Sequence, residues 1–366
     1  ALCTPVHAGG SAPRPRDPDR DKVVAKYAKI DGFEAWGLAP LQRSIDDALG
    51  RARVDERTAV AAIHEIMRLG VRVGSTAHAN RPKGGEGPEP SYGASTLWDF
   101  VKPLGGRKGV RLDFAGKDQV RWRLTFRAGG DVEMAFEGPK PKARPGTRPR
   151  SKKAATSKKP KVWSVNLKGA VHPELAEVVR LLGREATKNR GRLEVVGDSG
   201  DTVVVHDARI QQRLRQQSGV EEIWNHGLRH LRARQLLRQT LRQVMKQGVP
   251  RSAREAKDRL DGAIKEVARH LGHTQWTTTR DYYTDPRTFD AYLRWARIRA
   301  ARDHGIDAER FGRIDPWQSK GWRAARGKLN KALRAAKEQR VPRSAAQARK
   351  ILALSLIHIS EPTRHD

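Results

Sequence analysis

A single cysteine, Cys3, serves the whole chain. That excludes an internal disulfide framework and any zinc site built on several cysteines, and it fits a reducing compartment. No stretch approaches the roughly 18 consecutive apolar residues of a membrane-spanning helix. No signal peptide is legible, so a cytoplasmic location is expected. A glycine-rich nucleotide-binding loop is missing as well, and neither a cofactor nor a metal is expected. Acidic residues are scarce: 41 Asp and Glu face 73 Lys and Arg, a net charge of +32. Such an excess says little about fold and much about partners. Neutralising phosphates releases counterions, so a nucleic acid is expected ahead of a membrane surface.

The 366 residues, 37% of them hydrophobic, suffice for two domains or one large one. Residues 1–21 carry Gly, Pro and scattered charge without periodicity and read as a disordered lead-in. From Lys22 the pattern is helical. Val60, Ile63, Ile66 and Met67 share one face, and Gly70 is the expected stop. Residues 80–90 read as a Gly/Pro loop, closing an N-terminal helical part at 22–90. Two runs of period two follow, Val110-Leu112-Phe114 and Val120-Trp122-Leu124-Phe126. With Ala115-Gly116-Lys117-Asp118 between them they predict a β-hairpin bearing Lys117 at its tip.

Residues 138–161 hold ten Lys/Arg, five Pro and no acid. Such a segment cannot bury a core and reads as a mobile basic insertion, either a passive linker or an arm on phosphates. Helices are expected at 173–182 and 208–217, with extended chain at 193–205. Two longer helices then carry Leu228, Leu237, Leu241, Val244 and Met245, and Ala256, Leu260, Ile264, Val267 and Leu271; the second stops at Gly272. Residues 289–340 read as basic helix, of which 301–353 form a C-terminal extension. Residues 354–366 look like the in-frame translation of a sequencing adapter, and sequence upstream of Ala1 is expected to be missing.

Five residue types stand in a telling order. Arg72 lies between Gly70 and Gly74, where backbone and guanidinium can both approach a ligand. Lys117 follows on its hairpin. His226-Gly227-Leu228-Arg229 places a histidine and an arginine one turn apart on a helix. His273 comes next, just past a helix end, and two tyrosines close the series. A phenol is a weak nucleophile near its reference pKa of about 10. If its target is a phosphodiester, it needs arginines, a hydrogen-bond donor and a proton donor for the leaving oxygen. Each residue singly is a surface charge or a buried polar group; all five in this order are not. Counting nine residues from His273 selects Tyr282 as nucleophile, whereas counting back three from Pro286 selects Tyr283, the favoured choice. His226 receives no role.

Over residues 22–300 the chain resembles the type IB DNA topoisomerases, and more distantly the tyrosine recombinases. Ile66 to Ala77 is similar to the family's first-arginine segment, with Ser75 and Thr76 where Asn-Glu is usual. Ser91-Tyr92-Gly93-Ala94-Ser95-Thr96-Leu97 is similar to a Ser-Tyr-Gly-Leu-Thr-Thr-Leu block. Phe114-Ala115-Gly116-Lys117 resembles the Phe-x-Gly-Lys turn, and Tyr283-Thr284-Asp285-Pro286-Arg287 the Tyr-Leu-Asp-Pro-Arg nucleophile motif. His226-Gly227-Leu228-Arg229-His230 and Leu271-Gly272-His273 read more like recombinases. The resemblance implies an α+β, mainly helical fold, with a catalytic domain at 91–300 and a small sheet carrying the lysine. It implies catalytic roles for Arg72, Lys117, Arg229, His273 and Tyr283, and a monomer acting on double-stranded DNA beside the nucleoid. The expected activity is relaxation of supercoils through a 3′-phosphotyrosyl link, without ATP or metal. Site-specific recombination is the alternative, and a non-catalytic basic DNA-binding protein the reading from outside enzymology.

Overall fold

In the computed structural model the described residues are 18–51, 53–74, 79, 90–105, 109–139 and 161–312. Lys26 to Ile314 form one compact unit, so the described residues of 26–90 and of 91–300 pack as one body. Residues 1–25 and 315–366 belong to a second unit, of which only 18–25 are described. The class is α+β: helices around one antiparallel five-stranded sheet.

Helix α1 spans Pro18–Gly32 and runs through one π-turn, Phe33–Gly37, into α2, Leu38–Gly50. Residues 18–21, expected in a disordered lead-in, are therefore helical. Helix α3, Glu56–Arg68, starts where the Asp55 carboxylate accepts from the Thr58 amide at 2.9 Å. It is buried on every side rather than on one face, from Ala59 to Met67 including His64 and Glu65. It packs against α2 and against α4 (Leu175–Lys188), α5 (Asp207–Ser218) and α6 (Asn225–Lys246), and so serves as the central helix of the bundle.

The sheet is a meander, β1 to β5 in order: Val101–Pro103, Val110–Ala115, Arg121–Phe126, Val132–Glu137 and Val162–Leu167. The predicted hairpin is β2–β3, with Ala115 opposite Arg121 and Lys117 in a single 3₁₀ turn at the tip. Strands β1, β4 and β5 extend the sheet beyond that hairpin. On one face Phe114, Trp122, Phe136 and Trp163 stand directly opposite one another across four strands. Their rings make a continuous row with centroids 6.2, 4.7 and 5.4 Å apart. Strand pairing places them side by side, and mutual packing of the rings fixes the register.

The basic segment at 138–161 joins β4 to β5, and its ends meet: the Gly138 amide donates to the Lys161 carbonyl at 2.9 Å. Its interior, 140–160, lies outside the described residues. Residues 193–205 form two short strands, β6 (Glu194–Val196) and β7 (Thr202–Val204), rather than one extended run. Helix α4 begins two residues later than expected and continues six further.

Helix α7, Ala253–His270, leads to Gly272, and α8, Trp276–Tyr283, carries both tyrosines. Helix α9, Pro286–His304, ends on Gly305 in the left-handed region, and only a four-residue α10, Ala308–Phe311, follows among the described residues. The helix expected to run to 340 is thus broken at Gly305, and the stretch from 313 onward, with the C-terminal extension and the adapter-like end, lies outside the described residues.

Candidate active site

Arg72 is placed by backbone rather than by its own packing. Helix α3 ends at Arg68, two residues before Gly70, and residues 71–74 follow without regular secondary structure. The block at 91–97 lies alongside and pairs with it: Ala94 donates to the Arg72 carbonyl and Ser95 to the Val73 carbonyl, each at 2.7 Å. The Ser95 hydroxyl adds a second bond to Val73 at 2.8 Å. Gly93 allows the approach, because a Cβ there would sit 2.5 Å from both the Arg72 carbonyl oxygen and the Gly74 amide. One residue earlier, the Tyr92 amide donates to the Ala115 carbonyl at 2.8 Å, at the base of the lysine hairpin. The block therefore braces Arg72 against Lys117.

Arg229 is buried, 3% exposed, and its guanidinium reaches three partners. It donates to the Gly70 carbonyl, to the Leu271 carbonyl at 2.7 Å and to His273 Nε2 at 2.9 Å. It thereby ties the end of α3 to the turn after α7. That turn rests on the aromatic row. Gly272 has φ of +65° and leaves no room for a side chain, since a Cβ would lie 2.7 Å from the Trp122 ring. The Trp163 indole donates to the Arg269 carbonyl at 2.9 Å and caps the end of α7.

His273 is held from both sides. Arginine can only donate, so Nε2 accepts from Arg229 and the ring proton sits on Nδ1, 2.7 Å from the buried Thr279 hydroxyl. Burial pushes the His273 pKa down to about 2, and Arg229 and Arg72 add to the effect. In this state Nε2 is an acceptor. Donating from it to a phosphate oxygen requires the other tautomer, which Thr279 can support because a hydroxyl can donate as well as accept.

Tyr283 is 4% exposed, and its hydroxyl receives a bond from Arg72 Nη2 at 3.2 Å and lies 2.8 Å from His226 Nε2. In the tautomer with the ring proton on Nδ1, His226 Nε2 accepts from the phenol hydroxyl. Burial lowers the His226 pKa to about 3, with Arg72 and Arg229 contributing, so the ring is neutral at pH 7 and can accept the phenol proton. His230 stacks on the Tyr283 ring at 4.6 Å, and its own pKa is pushed down to about 2, chiefly by burial and next by Lys26. The Arg229 guanidinium lies 5.3 Å from the centre of the same ring. Tyr282 differs: its side chain is 55% exposed and its carbonyl accepts from Lys26.

Arg72, Lys117, Arg229 and His273 line one cleft of about 320 Å³, with Tyr92 and Trp122 completing its wall. Tyr283 is joined to that wall through Arg72. The structure thus brings together all five residues singled out from the sequence. It adds His226 and His230, whose signal is their place one turn apart on the helix that carries Arg229, and Thr279, which no pattern marks. Among the described residues no group of three or more His, Cys, Asp or Glu side chains converges as a metal site. Among them, too, no helix is long and apolar enough to cross a membrane. No protein-family model and no curated protein matches the chain.

Proposed function

We propose that the chain is a DNA strand-cleaving and rejoining enzyme that uses Tyr283 as nucleophile, and specifically a type IB topoisomerase. The observation that carries this reading is the Tyr283 hydroxyl, held between Arg72 and the neutral His226 ring. A buried phenol with one cation and one base on its oxygen is arranged for attack rather than for packing.

The chemistry follows from those contacts. The Tyr283 oxygen attacks phosphorus at a phosphodiester while its proton passes to His226 Nε2. The bond from phosphorus to the 5′ oxygen breaks, and Lys117 supplies the proton that this oxygen takes up. Arg72 and Arg229 neutralise the non-bridging oxygens, where planar forks fit better than ammonium groups. His273, in its second tautomer, donates to one of them. The product is a 3′-phosphotyrosyl link and a free 5′ hydroxyl. Because the link conserves the bond, the same groups reseal the strand in reverse order, with no nucleotide consumed.

Purified protein should relax supercoiled plasmid in EDTA without ATP, and a denatured reaction should contain protein covalently attached to 3′ ends. Tyr283→Phe should form no such adduct while binding DNA nearly as well. Adduct persisting in Tyr283→Phe and lost in Tyr282→Phe would move the role to Tyr282. The paired histidines His226 and His273 keep a recombinase reading in view; exchange between two specific sites, with unrelated plasmids left untouched, would select it.

A further inference from the structure

The turn carrying Tyr283 is gripped from a distant part of the chain. Lys26, on α1, donates from Nζ to the Tyr282 carbonyl at 2.7 Å, across 256 residues of sequence. That carbonyl belongs to the last turn of α8, where backbone oxygens have no partner within the helix and a cation is favoured. Five residues along α1, the Asp31 carboxylate binds Arg287 at 2.8 Å and also pairs with Arg234 of α6. Arg287 in turn forks onto Asp285, which caps α9. Between the two clamps Tyr27 sets its ring edge-on to His230, the histidine stacked on Tyr283. One stretch of α1 therefore holds the residue before Tyr283 and the helix start just after it.

We infer that Lys26 is a positioning residue for strand cleavage, fixing the backbone of the tyrosine turn so that the phenol stays between Arg72 and His226. The inference rests on Tyr283 being the nucleophile. Lys26 touches neither the cleft nor the phenol, so it acts through Tyr282. The groups facing its ammonium are the Tyr27 ring of its own helix, 5.3 Å away, His226 and His230 from α6, both neutral, the Tyr282 carbonyl from α8, and the Asp285 carboxylate ahead of α9. Burial lowers the lysine's pKa to about 8, against the pull of Asp285. The charge on the clamp is therefore lost at mildly alkaline pH, whereas an arginine in its place would keep it.

The test uses the full chain. Lys26→Met should slow single-turnover adduct formation ten- to a hundredfold, the order expected when a nucleophile is misplaced by about 1 Å, while DNA affinity by fluorescence anisotropy changes less than about twofold. Lys26→Arg should restore the rate and hold it above pH 8 better than the wild type does. Amide exchange at 276–285, measured without DNA, should quicken in Lys26→Met and in Asp31→Asn and return to normal in Lys26→Arg. Unchanged exchange and cleavage in Lys26→Met would overturn the proposal, as would a loss confined to affinity. Adduct formation by Tyr283→Phe would instead remove the nucleophile reading, and the exchange data judge the clamp independently of it.

Discussion

At the scale of single residues the proposed reaction separates groups that bind charge from groups that move protons. Arg72→Ala and Arg229→Ala should each slow cleavage by about a hundredfold or more, the scale for losing one preorganised donor to a developing anion. Arg229→Ala should also lower stability, since its guanidinium joins three backbone or side-chain partners, and a thermal melt would show it. Lys117→Ala should be rescued by a substrate with a 5′-bridging phosphorothiolate, whose sulfur leaves without a proton; equal defects on both substrates would remove the general-acid role. His226→Ala should slow adduct formation by less than the roughly 10²–10⁴ of a base matched to the operating pH, because a ring with its pKa at about 3 is a weak proton acceptor. Because the His226 pKa lies at about 3, the ring is unprotonated throughout the neutral range. The rate should therefore show no acid limb near 6.5 that vanishes in His226→Ala. The five residues of the ordered series are legible because each sits in a short motif with a fixed neighbour. Lys26 and Thr279 are not, because a lysine on a polar helix and a threonine among three carry no local mark.

At the scale of elements, the block at 91–97 is the connection between the arginine and the lysine. Gly93→Ala forces a Cβ to 2.5 Å from the Arg72 carbonyl. Backbone cannot yield as a side-chain tip can, so the variant should lose about 1–3 kcal/mol, the range for overpacking, and cleavage should fall with it. Thermal melts and single-turnover assays would check both. Unchanged cleavage at reduced stability would mean that Arg72 does not depend on the brace. The β2–β3 hairpin is legible because alternation and a four-residue turn are local signals. Strands β1 and β5 are not: the first has only three residues, and β5 is separated from its partner β4 by 24 residues of basic sequence. Strand β4 pairs with β3 across residues 127–131, so its alternating Val132, Met134 and Phe136 are a local signal that the reading of the hairpin leaves out. Helix α3 reads as amphipathic yet is wrapped on all sides, because His64 and Glu65 lie inside with it and a pattern of polarity cannot reveal that.

At the scale of the whole molecule, stability should respond to pH and the proposed DNA binding to salt. His64, His226, His230 and His273 are all held neutral, with pKa values lowered to about 4, 3, 2 and 2 by burial. In the unfolded chain each would titrate near 6.5, so the unfolded state takes up protons first as pH falls. Their contribution is complete above about 6.5 and declines below it, by up to about 1.4 kcal/mol per pH unit for each histidine. Urea midpoints at pH 7.5 and 5.0 should differ accordingly, with the acid sample weaker. DNA binding should weaken with salt. Deleting residues 139–160 should flatten the plot of log affinity against log salt by about 0.9 for every phosphate the segment neutralises, and leave cleavage in a saturated complex unchanged; an unaltered slope would show a passive linker. The hydrogen bond from Gly138 to Lys161 already draws the ends of β4 and β5 together at the root of that segment. Where strand ends already meet, the length and identity of what loops between them are nearly free variables. A sequence-reading DNA-binding module could be spliced into that opening, giving an address to the proposed enzyme, whose own grip would be on phosphate.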